Sequence, residues 1–125
     1  MINYSQLTRL TAVITFILFL ILLLAPEVIF ILFQIPSHES AGFISRRAAM
    51  LFLGIATFSW VARNAAPSET RQALCLGLSL SMLSLAALGI AEFVRGFAGL
   101  GIFLAILTET FLGMAYFTIW KENSD

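Results

Sequence analysis

The sequence predicts an all-α integral membrane protein, an antiparallel four-helix transmembrane bundle with a short interfacial helix after the first span. Of the 125 residues, 60% are hydrophobic and 11% are charged, whereas soluble domains carry roughly 25% charged residues. The mean hydropathy is +0.98. Four apolar stretches are each close to the ~20 residues that a helix needs to cross a bilayer. These observations favour one transmembrane domain over residues 1–125.

Helices are the expected form of the four spans. Backbone polar groups inside lipid must be satisfied within the segment, and the stretches are too long and too unalternating for barrel strands. The predicted spans cover about residues 7–25, 43–62, 72–91 and 96–120.

The first span has some features of a signal peptide, with Arg9 before an apolar core from Leu10 to Leu24. No small-x-small cleavage site lies near its end, where Ala25 is followed by Pro26. We therefore expect a retained anchor helix.

The segment from about 26 to 35 is apolar but too short to span a bilayer. Pro26 suits the start of a new helix and Pro36 ends the run. Two interpretations remain open, a short helix lying in the membrane interface and a continuation of the first helix past a kink.

The loop between the second and third spans runs from Arg63 to Arg71 and contains Asn64, Pro67 and Ser68. A loop this tight predicts that the two spans are antiparallel neighbours.

Four spans bring both termini to one side of the membrane. That side would carry Arg9, Arg63, Arg71 and Lys121, and the other side Arg46, Arg47 and Arg95. The positive-inside rule then favours an N-in and C-in orientation by a single charge.

Glu109 is the most informative residue, because a carboxyl inside a span is costly and marks a functional or packing site. It recurs at four-residue spacing with Gly101, Ala105 and Gly113, so these residues share one helix face. Small residues mark faces where helices approach each other, so Glu109 is expected to point into the bundle or an oligomer interface. It is either a protonatable site for proton coupling or cation binding, or a protonated carboxyl hydrogen-bonded to a neighbouring helix.

The third span carries a small and polar stripe formed by Gly77, Ser81 and Ser84. Serines on such a stripe can bond across helices for about 1 kcal/mol or less. We expect the stripe to face the Glu109 side of the fourth span. Close packing without any further role is the alternative.

Arg46, Arg47 and Arg95 lie near span ends on the side opposite the termini. They are candidates for holding an anionic lipid headgroup or an acidic ligand. The alternatives are plain anchoring at the interface and, for Arg95, pairing with Glu92 three residues earlier.

Several function classes are disfavoured. The formal net charge is +0, so no basic field exists for nucleic acid. His38 is the only histidine, which excludes a bis-histidine haem or a histidine-rich metal site. Cys75 is the only cysteine, so no disulfide can form within the chain. We predict no cofactor, no metal site and no catalytic residues.

A resemblance to a known class of proteins rests on four features. They are Ala25-Pro26-Glu27 closing the first span, the basic start of the second span from Arg46 to Gly54, the exit Trp60-Val61-Ala62-Arg63, and Glu109 in the last span. In these features the chain resembles small bacterial four-helix integral membrane proteins of unknown function. The resemblance implies the bacterial cytoplasmic membrane. Small multidrug resistance transporters differ, since their essential glutamate lies in the first helix and Leu10 to Ala25 here is uncharged.

Two functions follow as expectations. The first is a non-enzymatic multi-pass protein acting through helix–helix or lipid contacts in the bilayer, as an accessory subunit of a membrane protein partner or as a homo-oligomer. The alternative is a small proton-coupled transporter or channel that uses Glu109.

Overall fold

The fold is a helical bundle of five α-helices and no strands over residues 2–123, the part that the computed structural model describes. The helices are α1 (Tyr4–Leu24), α2 (Glu27–Phe33), α3 (Glu39–Val61), α4 (Glu69–Val94) and α5 (Ile102–Glu122). All except α2 are long and apolar enough to cross a membrane. The predicted fold class is therefore confirmed.

The spans differ from their predicted bounds mainly at their polar ends. α1 begins three residues earlier than predicted, because Asn3 and Gln6 form a capping box with bonds of 2.9 and 3.1 Å. α4 likewise begins early, where the Ser68 hydroxyl accepts from the Arg71 amide. Capping groups satisfy the free amides of a first turn, so a helix can continue past its apolar stretch.

The fourth span is shorter at its start than predicted. Residues 96–101 form turns, and α5 begins at Ile102. Glu109 is therefore seven residues from the start of its helix, about 10 Å at 1.5 Å per residue. It lies closer to the α4–α5 connection than to the chain termini.

The bundle consists of two antiparallel helix pairs. α1 packs along α3, and α4 packs along α5. The buried positions of α3 that face inward are small, namely Ala49, Ala56 and Ser59. Small side chains allow close approach of helix backbones. The prediction that the second and third spans are close neighbours is wrong, because α3 and α4 pack against different partners and not closely on each other. Short loops favour adjacency, but α3 and α4 each pack mainly along another helix.

The two pairs meet in a packed core at the end of the bundle that holds the termini. Eight buried residues from α1, α4 and α5 form this core: Tyr4, Leu7, Cys75, Leu78, Met82, Leu112, Tyr116 and Ile119. The Thr11 hydroxyl and the Tyr116 hydroxyl are 2.6 Å apart in this region. Both side chains are fully buried, so this hydrogen bond joins α1 to α5 away from water.

α2 is a separate helix rather than a continuation of α1. The backbone breaks at Ala25, and α2 ends at Gln34 in the left-handed region with φ 56°. The Gly99 amide donates to the Phe33 carbonyl at 2.7 Å, and the Leu100 amide donates to the Gln34 side chain at 3.2 Å. The end of α2 is thus held against the α4–α5 connection.

Gly101 explains why this contact is so close. A methyl group on Gly101 would overlap the carbonyl oxygen of Leu32. Only glycine leaves room for one backbone to rest on another here. α2 is therefore fixed over the end of the bundle opposite the termini.

The Thr11–Tyr116 bond yields a stability prediction. Thr11→Val leaves the buried Tyr116 hydroxyl without a partner and should lower the free energy of unfolding by about 1–3 kcal/mol. Tyr116→Phe should cost less, about 1 kcal/mol, because Thr11 still donates to the Leu7 carbonyl at 2.9 Å.

Reversible unfolding in mixed detergent micelles measures both changes. Combining the two substitutions should cost less than the sum of the single changes, since one interaction is shared. Thr57→Val is the matched control, because the exposed Thr57 hydroxyl bonds only to the Leu53 carbonyl of its own helix. Strict additivity of Thr11→Val and Tyr116→Phe would show that the bond does not contribute.

Candidate functional site

The candidate site is a cavity of about 260 Å³ at the level of Glu109. Every helix contributes to its wall, for example Thr15 from α1, Phe33 from α2, Phe52 from α3, Met82 from α4 and Leu112 from α5. The cavity lies in the half of the bundle that α2 covers, beyond the packed core. It exists because the two helix pairs are closely joined only near the termini.

α5 places Glu109 in this wall by ordinary helical spacing. Leu104, Ala105, Thr108 and Leu112 line the same cavity, and positions one, four and five residues apart along this run share one helix face. Glu109 is partly buried. Its carboxyl Oε2 is completely buried and has no hydrogen-bond partner.

The surroundings of Glu109 leave its carboxyl unpaired. Among residues 2–123, only two other polar side chains line the cavity, Thr15 and Thr108. The Thr15 hydroxyl donates to the Thr11 carbonyl at 2.6 Å, and the Thr108 hydroxyl donates to the Leu104 carbonyl at 2.9 Å. Both hydroxyl protons are committed to the backbone of their own helices. Glu109 forms no hydrogen bond or ion pair within residues 2–123.

This geometry bears on the two interpretations of Glu109. A structural carboxyl would be expected to bond to a neighbouring helix, because an unsatisfied buried polar group costs about 1–3 kcal/mol. Within residues 2–123 no such bond is present, and Glu109 is one of the residues that line the cavity. The cavity offers room for a bound group that would supply the missing donor.

The four residues predicted to share the Glu109 face meet different neighbours. Gly101 rests on Leu32 of α2, Ala105 and Glu109 line the cavity, and Gly113 packs on Leu83 of α4. Only Gly113 therefore approaches α4 in the expected way. The Gly113 carbonyl also accepts a hydrogen bond from the Ser79 hydroxyl at 2.9 Å.

The stripe of Gly77, Ser81 and Ser84 does not face α5, and that prediction is wrong. All three residues are exposed on the outer surface of α4, and nothing lies within 4 Å of a methyl group added to Gly77. The residues that α4 buries are instead Ser79, Ala86 and Gly89, together with Cys75, Leu78 and Met82. Ser79 is two residues away from both Gly77 and Ser81, which is about 200° around a helix. The buried residues and the stripe therefore lie on opposite sides of α4.

Arg46, Arg47 and Arg95 are not joined by any contact within residues 2–123. The Arg47 guanidinium lies 5.9 Å from the Phe43 ring and the Arg95 guanidinium lies 4.9 Å from the Phe97 ring. Within residues 2–123 Arg95 forms no ion pair with Glu92, so the alternative of that pairing is not realised. α3 begins at Glu39, so Arg46 and Arg47 lie about two turns inside the helix rather than at its start.

Sequence reasoning missed a row of buried threonines on α1. Thr8, Thr11 and Thr15 are at most 1% exposed, and each hydroxyl donates to a carbonyl four residues earlier. The row runs from the packed core to the cavity wall. Its signal was the spacing of three and four residues, which places the threonines on one helix face in an otherwise apolar span.

The fold and this site define the protein as a helical bundle with four candidate membrane spans and a glutamate in the wall of a partly open cavity. No protein-family model matches the chain, and neither the curated proteins nor the solved structures contain a significant match. The resemblance to bacterial four-helix proteins stays a prediction.

Substitution of Glu109 separates a structural carboxyl from a functional one. Glu109→Leu should leave the free energy of unfolding equal to or above that of the wild type, because it removes a buried group that has no partner. Ser79→Ala is the comparison, since loss of the Ser79–Gly113 bond should cost about 1 kcal/mol. Unfolding in mixed micelles measures both variants. A loss above about 1 kcal/mol in Glu109→Leu would indicate that the carboxyl is bonded.

The two glycines Gly113 and Gly77 provide a matched pair for the helix faces. Alanine raises helix propensity at both positions, but at Gly113 the new methyl would lie 2.7 Å from the Leu83 Cγ. Gly113→Ala should therefore be less stable than Gly77→Ala by about 1–3 kcal/mol. Equal stability of the two variants, measured in the same unfolding assay, would place the α4–α5 contact elsewhere.

Proposed function

We propose that this protein is a small non-enzymatic membrane protein in which Glu109 exchanges a proton for a cationic ligand, as a proton-coupled transporter or channel would. One observation carries the proposal: Glu109 lines the cavity, and its buried carboxyl oxygen has no hydrogen-bond partner within residues 2–123. Intramembrane carboxyls that face cavities are associated with ion and proton pathways.

The physical basis is the cost of an unpaired carboxylate in an apolar surrounding. An apolar surrounding disfavours the charged form of a carboxyl. A cation in the cavity reverses this preference, since an opposite charge nearby favours the carboxylate. Ligand binding and proton release are then two parts of one equilibrium, which is the minimum requirement for coupled exchange.

The absence of a second titratable group in the cavity wall supports a non-enzymatic role. General acid–base or nucleophilic chemistry needs at least two cooperating groups. Among the residues that line the cavity, Glu109 is the one ionisable side chain. A single carboxyl suits reversible binding better than bond cleavage.

We place the protein in the bacterial cytoplasmic membrane with both termini inside. Ser5 near the start of α1 bonds to Asn64 of the α3–α4 loop, and Gln72 near the start of α4 donates to the Trp120 carbonyl near the end of α5. That end carries the larger number of basic side chains by one residue, which favours the inner side.

A second candidate function is that of a homo-oligomer or an accessory subunit that acts through helix–helix or lipid contacts. The observation favouring it is the exposed stripe of Gly77, Ser81 and Ser84 on α4. Small and hydroxyl-bearing residues on a lipid-facing surface suit close approach of another helix. In this interpretation Arg46, Arg47 and Arg95 would contact anionic lipid headgroups. Oligomers could also carry the exchange function, so the two candidates are compatible.

Proton release tests the exchange function. The purified protein in weakly buffered detergent should release protons when Na⁺, K⁺ or organic ammonium salts are added one at a time, and a pH-sensitive dye reports the release. At least one cation should act on the wild type. Glu109→Gln should abolish the response because it cannot lose a proton.

Glu39→Gln is the control for this assay. Glu39 is exposed in the first turn of α3 and remote from the cavity wall, so its substitution should leave proton release unchanged. If no cation released protons from the wild type, or if Glu109→Gln responded like the wild type, the exchange function would be excluded.

A further inference from the structure

We infer that the ligand of the Glu109 cavity is a small organic ammonium ion with at least one N–H group and a compact apolar body. This inference rests on the proposed function and names its ligand class. It is drawn from the position of Glu109, whose carboxyl has no partner within residues 2–123, in a mostly apolar cavity wall.

The charge of the ligand follows from the ionisable groups of the wall. Glu109 is the single acidic residue in the cavity lining, and no Lys, Arg or His is part of it. A ligand cation would therefore meet one opposite charge and no like charge. An anion would find no partner and would be repelled by the carboxylate.

The N–H group follows from the hydrogen-bond inventory. The Glu109 carboxylate is an acceptor without a donor, and the hydroxyl protons of Thr15 and Thr108 already bond to backbone carbonyls. A ligand with an N–H group would supply a donor. A charge-assisted N–H···O bond is roughly twice as strong as a neutral one, so an ammonium with a free N–H fits better than a fully alkylated one.

The apolar body follows from the remaining wall. Ile, Leu, Met and Phe side chains make up most of it, including Phe33 and Phe52. A metal cation prefers several oxygen ligands, which this wall does not supply. Aromatic faces attract organic cations, and the aliphatic side chains favour an apolar substituent.

The cavity volume bounds the size of the ligand. A space of about 260 Å³ suits a compact organic ligand rather than a bulky one. A benzylammonium ion is of this size. An aminophospholipid headgroup has the same ammonium chemistry, but its phosphate would require a basic partner that the wall lacks.

Calorimetric titration of the protein in phosphatidylcholine nanodiscs with benzylammonium tests the inference, because this lipid has no N–H group on its headgroup. The wild type should bind benzylammonium, and Glu109→Gln should weaken binding by at least about tenfold through loss of the charged acceptor. Benzyl alcohol, which is neutral, should bind the two proteins equally. Benzyltrimethylammonium, which lacks an N–H group, should bind the wild type more weakly than benzylammonium.

Ala105→Phe provides a second variant that keeps the carboxyl. Ala105 lines the cavity, so the added ring should exclude benzylammonium while methylammonium still releases protons. Nanodiscs that contain phosphatidylethanolamine test the lipid source. If that lipid displaced benzylammonium, the natural ligand would be the ammonium of a lipid headgroup. The inference of a free organic ammonium ion would then be wrong.

The results separate this inference from the proposed function. Proton release by Na⁺ or K⁺ through Glu109, without benzylammonium binding, would overturn the ligand class and leave the exchange function intact. Equal binding of benzylammonium to the wild type and Glu109→Gln would also overturn it, since the ligand would then sit elsewhere. If no cation bound and none released protons, both proposals would fall.

Discussion

The structure depends on the seam between α1 and α5, where the buried hydroxyls of Thr11 and Tyr116 meet at 2.6 Å. Each helix pair is closely packed within itself, and this seam with its surrounding core joins the pairs at the end that holds the termini. Away from the seam the helices leave a partly open cavity between them. Inside a bilayer no hydrophobic force joins helix surfaces, so packing and hydrogen bonds decide which faces meet.

Glu109 belongs to the half of the bundle that this seam leaves open. A carboxyl facing the packed core would have to bond to another helix or be excluded. At the cavity wall its carboxyl has no hydrogen-bond donor among residues 2–123. Because the surrounding side chains are apolar, leaving this acceptor without a donor costs free energy. The same arrangement that lowers stability creates selectivity for a group that brings both a proton donor and a positive charge. α2, held against the α4–α5 connection by the Phe33 and Gln34 bonds, forms one wall of this space.

The sequence predicted the four long helices because segments of about 20 apolar residues have few alternatives in lipid. It also placed Glu109 on a face with small residues. It could not show which helix each face meets, since periodicity defines faces but not neighbours. Hence Gly77, Ser81 and Ser84 were assigned to the wrong side of α4. The cavity was also beyond sequence reasoning, because a void depends on how five helices pack at once.

The most direct measurement is chemical labelling of the membrane-embedded protein with a hydrophobic carbodiimide, followed by mass spectrometry. Carbodiimides add to protonated carboxyls that they can reach from an apolar phase. The account predicts an adduct on Glu109 that is absent from Glu109→Gln and forms more slowly when benzylammonium fills the cavity. An unmodified Glu109, in a digest whose peptides cover α5, would contradict a neutral carboxyl open to the cavity.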